Sequence, residues 1–281
     1  MRKNWTLKRK LERQLKIVIE TSTLVSASIC WKYEEDGYPL ALEHCFYKRC
    51  RSLIEYCKNE GLSDNVIITK TVEDEAKNAI KRAVEKTIRD NATPNLVTKY
   101  GLMVLQHIVL NEALDKLDYY VEECSTRFPI NRKERDIIKK NEIEPFLAEI
   151  SSKTLRYIQP SIPRFIAKPL RDELTAKIVE SLPSKGIVYK GMPGDRDLTI
   201  MAEAALIYRK FECKEEIYVA SEDNHFKPNP VQIGSFYDSS MRFSGDVDST
   251  VRDMLAEKFG FIGEDPRIIL AKLKKGNSLK D

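Results

Sequence analysis

Short apolar runs that give way at once to helical patterns constrain this chain more than any other feature. LKIVI (15–19) leads into TSTLVSASICWKY, NVIIT (65–69) leads into TVEDEAKNAIKRAVEKTIRD, and EIYVASED (216–223) follows the helical DLTIMAEAALIYRKFE. Brief β-branched runs read as buried strands, and apolar residues recurring every three or four positions read as amphipathic helices. KGIVYKGMPGD (185–195) and NPVQIGSF (229–236) add two further strand patterns. Parallel neighbours need a crossover, and a helix is the usual one. The alternation therefore predicts an α/β fold with a central, mainly parallel sheet and helices on both faces, a three-layer α/β/α arrangement.

Between residues 91 and 182 the alternation stops. LVTKYGLMVLQHIVLNEALDKLDYYVEEC and NRKERDIIKKNEIEPFLAEISSKTLRYI are long helical patterns, the second broken near Pro145, and PRFIAKPLRDELTAKIVESLP is a third. The expected organisation is one α/β domain made from 1–90 and 183–281, with a helical insertion at 91–182. The stripe Leu102, Leu105, Ile108, Val109, Leu114 and Leu117 is then either the insertion's own core or an interface with a second copy, which makes a homodimer one expectation. EEDGYP (34–39) reads as a loop, LALEHCFYKRCRSLIEYCKNEG (40–61) as a helix stopped by Gly61, and the C-terminal tail as a short basic helix.

Composition limits the partners. At 281 residues the chain buries a core without covalent staples. Its six cysteines form no CxxC pair, so free thiols fit better than disulfides or zinc. No apolar stretch is long enough to cross a bilayer, and the N-terminal residues are charged throughout, so the expectation is a cytoplasmic protein with no membrane partner. The formal charge is only +4, yet Arg2, Lys3, Lys8, Arg9, Lys10, Arg13 and Lys16 crowd the start. That run is either a solvated leader or a phosphate-facing patch.

Glu20, Glu75, Asp197 and Asp223 each stand where an apolar run ends or a helix begins. Carboxylates so placed can be gathered over one sheet edge, where mutual repulsion favours a divalent cation as neutraliser. Neighbouring acids compete for each role. Asp195 rivals Asp197 and otherwise caps the same helix. Glu73 and Asp74 share the first turn with Glu75, where acids also complement the helix dipole. Ser22, Ser221 and His225 stand close to these acids in sequence, and Lys81 and Arg82 follow Glu75 on its helix; each is a candidate substrate contact, with turn bracing, packing or a solvated face as the alternative. His107 reads as a hydrogen-bonded core or interface histidine rather than a ligand.

IVIETSTLVSA, ITKTVEDEA, DLTIMAEA and YVASEDNHF, in that order, resemble the four motifs of PIN-domain nucleases, and the resemblance covers the chain apart from the helical block. It implies a PIN-like fold in which Glu20, Glu75, Asp197 and Asp223 are catalytic acids that hold Mg2+ or Mn2+, with Asp195 as a further metal ligand. It also implies an endonuclease that hydrolyses phosphodiesters, RNA favoured over DNA, and a small protein inhibitor if the chain is of the toxin type. The chain departs from the family at Glu20, where an aspartate is usual. A catalytically impaired nucleic-acid-binding or scaffolding module is therefore the alternative, and a phosphatase-like hydrolase ranks last for want of a strand-ending DxD.

Overall fold

The structure is a computed structural model that describes residues 15–29, 32–35, 38–41, 45–91, 101–153, 192–212, 216–221, 223, 225–226 and 251–278. The basic N-terminal run, His44, Glu222, the helix expected at 163–183 and the strands expected at 185–191 and 229–236 lie outside the described residues.

Strand β1 (Leu15–Ile19) is followed directly by helix α1 (Thr21–Ile29). A hairpin of β2 (Lys32–Glu35) and β3 (Tyr38–Ala41) leads to α2 (Cys45–Asn59). Strand β4 (Val66–Ile67) precedes the long α3 (Lys70–Asn91) and α4 (Leu102–Glu123). Next come α5 (Arg132–Ile138), a π-turn at Lys139–Ile143 and α6 (Glu144–Lys153). Helix α7 (Asp195–Lys210), β5 (Glu216–Ala220), α8 (Val251–Phe259), β6 (Phe261–Glu264) and α9 (Pro266–Ser278) complete the order.

The main sheet has the order β4-β1-β5-β6, and every pair in it is parallel. In the centre of the sheet, consecutive residues Ile17, Val18 and Ile19 are all fully buried, as are Val219 and Ala220. Successive strand residues point to opposite faces, so both faces are covered, the pattern expected of a parallel sheet between helices. The fold is α/β, and this burial is compatible with three layers. Helix α7 packs on β5 and β6, while α9 packs on β5 and on α2.

The described part of the helical block, residues 101–153, shares the buried core of the sheet. Leu105, Val109, Leu117 and Tyr120 of α4, together with Ile143, Leu147 and Ile150, belong to the same buried cluster as β1 and β5. The stripe on α4 thus packs on α3 and α1. A backbone bond from Thr126 N to Val66 O (2.8 Å) even adds a single bridge at the β4 edge. The break expected near Pro145 takes the form of the π-turn just before it. Proline has no N–H to give to the carbonyl four residues back, and a wider turn absorbs both the missing bond and the ring.

Two expectations are corrected. Lys32–Glu35 and Tyr38–Ala41 pair as antiparallel strands across the stretch 34–39 expected as a loop, and the helix expected from Leu40 begins at Cys45. FIG (261–263), unassigned from sequence, and Glu264, expected in the tail helix, form strand β6. Gly61 does stop α2: at φ 71° it donates to Lys58 O while Leu62 N donates to Cys57 O (2.7 Å), a paired C-terminal cap that needs the left-handed region.

Candidate functional site

The strand order reverses direction at β1, whose outgoing connection leads to β4 on one side while β5 leads on to β6 on the other. In open parallel sheets the crevice at the carboxyl ends of such strands is where ligands bind. The ends in question carry Glu20 after β1 and Ser221 and Asp223 after β5.

Glu20 is 5 % exposed. Its Oε1 accepts the Ser22 amide at 2.8 Å, while its Oε2 accepts the Ser22 hydroxyl and, at 3.4 Å, the Ser221 hydroxyl. The carboxylate therefore also caps the first turn of α1. Thr23 Oγ1 donates to the last carbonyl of β5, Ala220 O, at 2.8 Å, which fixes the start of α1 against the neighbouring strand. Burial pushes the Glu20 carboxyl up to about 7 despite the Ser22 bonds, and the nearby charges of Asp197 and Asp223 push in the same direction. Three acids from remote parts of the chain thus sense one another here.

The turn after β5 is built around Asp223. The Asp223 amide donates to Ser221 Oγ (2.9 Å), and Asp223 Oδ1 accepts the His225 amide (2.9 Å). The buried His225 ring places Nδ1 3.0 Å from Asp223 Oδ1 and 3.5 Å from Asp197 Oδ2, within ion-pair reach of both when protonated but with no hydrogen bond to either. The turn lies directly on β6: a Cβ at Gly263 would fall 1.5 Å from Phe226 O. Only glycine allows that approach.

Glu75 joins the group through intermediaries. Its Oε2 accepts from Thr21 Oγ1 at 3.0 Å and its Oε1 lies 3.4 Å from Arg196 Nε, next to Asp197. Its neighbours serve elsewhere: Glu73 is buried between Lys70 (3.3 Å), Lys77 (3.0 Å) and Arg127 (3.6 Å). Asp74 pairs with Lys70 at 2.9 Å. Asp195 has an 84 % exposed side chain and pairs with Lys139 Nζ at 2.5 Å; Lys139 also donates to Thr199 Oγ1 at 3.1 Å. Asp195 therefore ties the π-turn to the start of α7, and Asp197 is the acid that meets His225. Lys81 and Arg82 are exposed on α3, and His107 is exposed beside Asn111 (3.2 Å) rather than in the core.

Some polar groups of this edge gave no signal in the sequence. Glu203, 1 % exposed, accepts from Thr69 Oγ1 and Thr71 Oγ1 at 2.6 Å each, with Arg135 Nη1 at 3.4 Å. Burial holds its carboxyl above the usual range in spite of those partners. Glu264, at the end of β6, meets Arg252 at 3.1 Å and Lys272 at 3.7 Å. An acid inside an alanine-rich helix or a four-residue strand stands out only once its partners are placed around it.

The cluster offers carboxylates, hydroxyls and one imidazole, a donor set that suits a hard divalent cation such as Mg2+ or Mn2+. In the conformation seen, Glu20 is turned back onto Ser22, and among the described residues no three His, Cys, Asp or Glu side chains are grouped so as to hold a metal ion. Also among the described residues, no helix is long and apolar enough to cross a membrane. Compared with protein-family models, with curated proteins and with solved structures, the chain matches none.

Proposed function

We propose that this chain is a PIN-like, metal-dependent endonuclease that hydrolyses phosphodiester bonds, with RNA favoured over DNA. One observation carries the reading: at the carboxyl edge of a parallel sheet Asp197 and Asp223 lie 3.5 and 3.0 Å from the same His225 nitrogen, and Glu20, remote from both in sequence, meets the turn of Asp223 through Ser221 at 3.4 Å. A buried carboxylate facing two further acids has an uncompensated charge that a divalent cation would neutralise. The preference for RNA rests on the motif resemblance alone.

Glu20, Asp197 and Asp223 would hold Mg2+ or Mn2+, with Glu75 acting from a greater distance and Asp195 serving its ion pair with Lys139. Bound there, the ion supplies Lewis acidity for activating water and offsetting charge on the phosphate. Ser22 and Ser221 hold the Glu20 carboxylate, and His225 Nδ1 stands between Asp197 and Asp223, pairing with them when the ring is protonated. Arg196, with a 66 % exposed side chain beside Glu75, would meet a phosphate oxygen.

Labelled RNA and DNA incubated with Mg2+, Mn2+ or chelator test this reading. Metal-dependent cleavage, faster on RNA and lost in Asp197→Asn, is expected; cleavage in chelator, or equal cleavage by the variant, refutes the assigned chemistry. Asp223→Asn is expected to weaken Mn2+ binding by more than about 100-fold, since even outer-shell partners of a metal are worth 10–100-fold. A second reading, a nucleic-acid-binding module without catalysis, is favoured by the Glu20 side chain being turned back onto Ser22. It predicts RNA binding with no cleavage under any metal.

A further inference from the structure

Helix α9 begins at the same sheet edge as the acids. Glu264, two residues before its first residue, accepts the Ser221 amide through its carbonyl at 3.1 Å. The helix sequence, PRIILAKLKKGNS, contains Arg267, Lys272, Lys274 and Lys275 and no acid, so its charge of +4 equals the formal charge of the whole chain. Ile269 is buried, and Leu270 and Leu273 pack against the core. On the other side Arg267, Ile268, Ala271, Lys272 and Lys275 line an open cleft of about 440 Å3.

Two of those cations are oriented from below. Arg267 holds Asp265 at 3.0 Å while remaining 53 % exposed, and Lys272 reaches Tyr218 Oη (3.2 Å) and Glu264. From Arg267 to Lys275 the face runs about 12 Å at 1.5 Å per residue, roughly the length of three stacked nucleotides. Ile268, 44 % exposed, and Ala271 give the cleft an apolar floor between its cations. An acidic centre repels phosphates, so a polyanion has to be drawn in by cations close by.

We infer that this face of α9 binds the phosphate backbone of single-stranded nucleic acid and leads it toward the acidic edge. The direction of travel rests on the nuclease reading, whereas the binding is measurable without it. A bilayer-binding helix presents a broad apolar face with aromatic anchors, and here Ile268 is the large apolar side chain exposed on the helix. Charge complementarity with spaced phosphates is the better match.

The test is fluorescence anisotropy of a short labelled single-stranded RNA in chelator, across a salt series, with the wild type, Asp197→Asn, Arg267→Gln, Lys275→Gln and the Arg267→Gln/Lys275→Gln pair. The pair is expected to bind about 10-fold more weakly and to lower the slope of log affinity against log salt by about 1.4, or 0.7 per lost phosphate contact. Asp197→Asn is expected to bind at least as well as the wild type. Lys275→Gln keeps the Arg267–Asp265 contact, so a slope change in that variant alone supports the inference even if the pair fails to fold. Unchanged affinity and slope in folded variants would overturn it, as would equal, α9-dependent binding of polyglutamate or phosphatidylserine vesicles. RNA binding that depends on α9, without cleavage in any metal, would support this inference and sink the nuclease reading.

Discussion

Glu73 and Glu20 are both almost wholly buried, 3 % and 5 % exposed, yet their surroundings are opposite. Glu73 meets Lys70, Lys77 and Arg127, and although burial works against ionisation, Lys77 and Lys70 hold its carboxyl below the usual range. Glu20 meets hydroxyls, an amide and two further acids, and is pushed up to about 7. Glu203 stands between them, with two threonine hydroxyls and Arg135. A carboxylate surrounded by fixed cations is structural, since its charge is already met within the fold. One buried beside other acids destabilises the fold when ionised, and that stored cost is released only by a proton or by a cation from outside.

The largest test of the contrast is Glu203→Ala. It leaves Arg135 and two threonine hydroxyls without their buried acceptor and is expected to lower stability by about 4 kcal/mol in denaturant titration. A loss under about 1 kcal/mol would show that Glu203 is not a fixed structural acid. Glu20 is expected to behave in the opposite sense. Its folded pKa is raised from 4.5 to about 7, so its contribution to stability is complete below pH 4.5 and is lost as pH rises through about 7. Glu20→Gln should therefore make the metal-free protein more stable above pH 7, by up to about 3 kcal/mol, and flatten its stability between pH 5 and 7. A variant less stable than the wild type at pH 8 would break the comparison.

Gly263→Ala sharpens it from the side of geometry. The added carbon collides with Phe226 O, so the turn holding Asp223 must shift, at about 2 kcal/mol, and Mn2+ affinity should fall with it. Wild-type melting and wild-type affinity together would rule out that account. Smallest is Glu73→Gln, expected to cost about 1 kcal/mol at neutral pH because its lysines are partly solvated and screened. The cost should shrink in acid as the wild-type carboxyl protonates, and its sign at pH 8 should be opposite to that of Glu20→Gln.

Much of the framework was legible beforehand. LKIVI, NVII and EIYVA announced β1, β4 and β5, while the threefold to fourfold spacing announced α3, α4 and α7, because burial on a strand or a helix face leaves a periodic trace. FIGE left none: four residues with a glycine, set between two helices, carry too short a pattern. The pairing of β2 with β3 is hidden for a related reason: KYEE has no apolar alternation, and the charges, Gly37 and Pro39 of EEDGYP read as loop. The stripe on α4 was visible, but its partner was not. Leu105, Val109 and Leu117 enter the main core, a partner that the pattern leaves open between the insertion's own core and a second copy.

At the candidate site the sequence determined which groups stand at strand ends and helix starts, because those positions follow from local periodicity. Local pattern alone does not separate Glu73 from Glu75, or Asp195 from Asp197, since each pair shares a turn; the preference for Glu75 and Asp197 comes from the motif resemblance. Tertiary packing gives the members of each pair different surroundings, with Lys77 against Glu73, Thr21 against Glu75, Lys139 against Asp195 and His225 against Asp197. The reason is physical: secondary structure is written in near neighbours along the chain, whereas the charge on a carboxylate is governed by whatever the fold brings within a few ångströms, and those groups lie up to two hundred residues away.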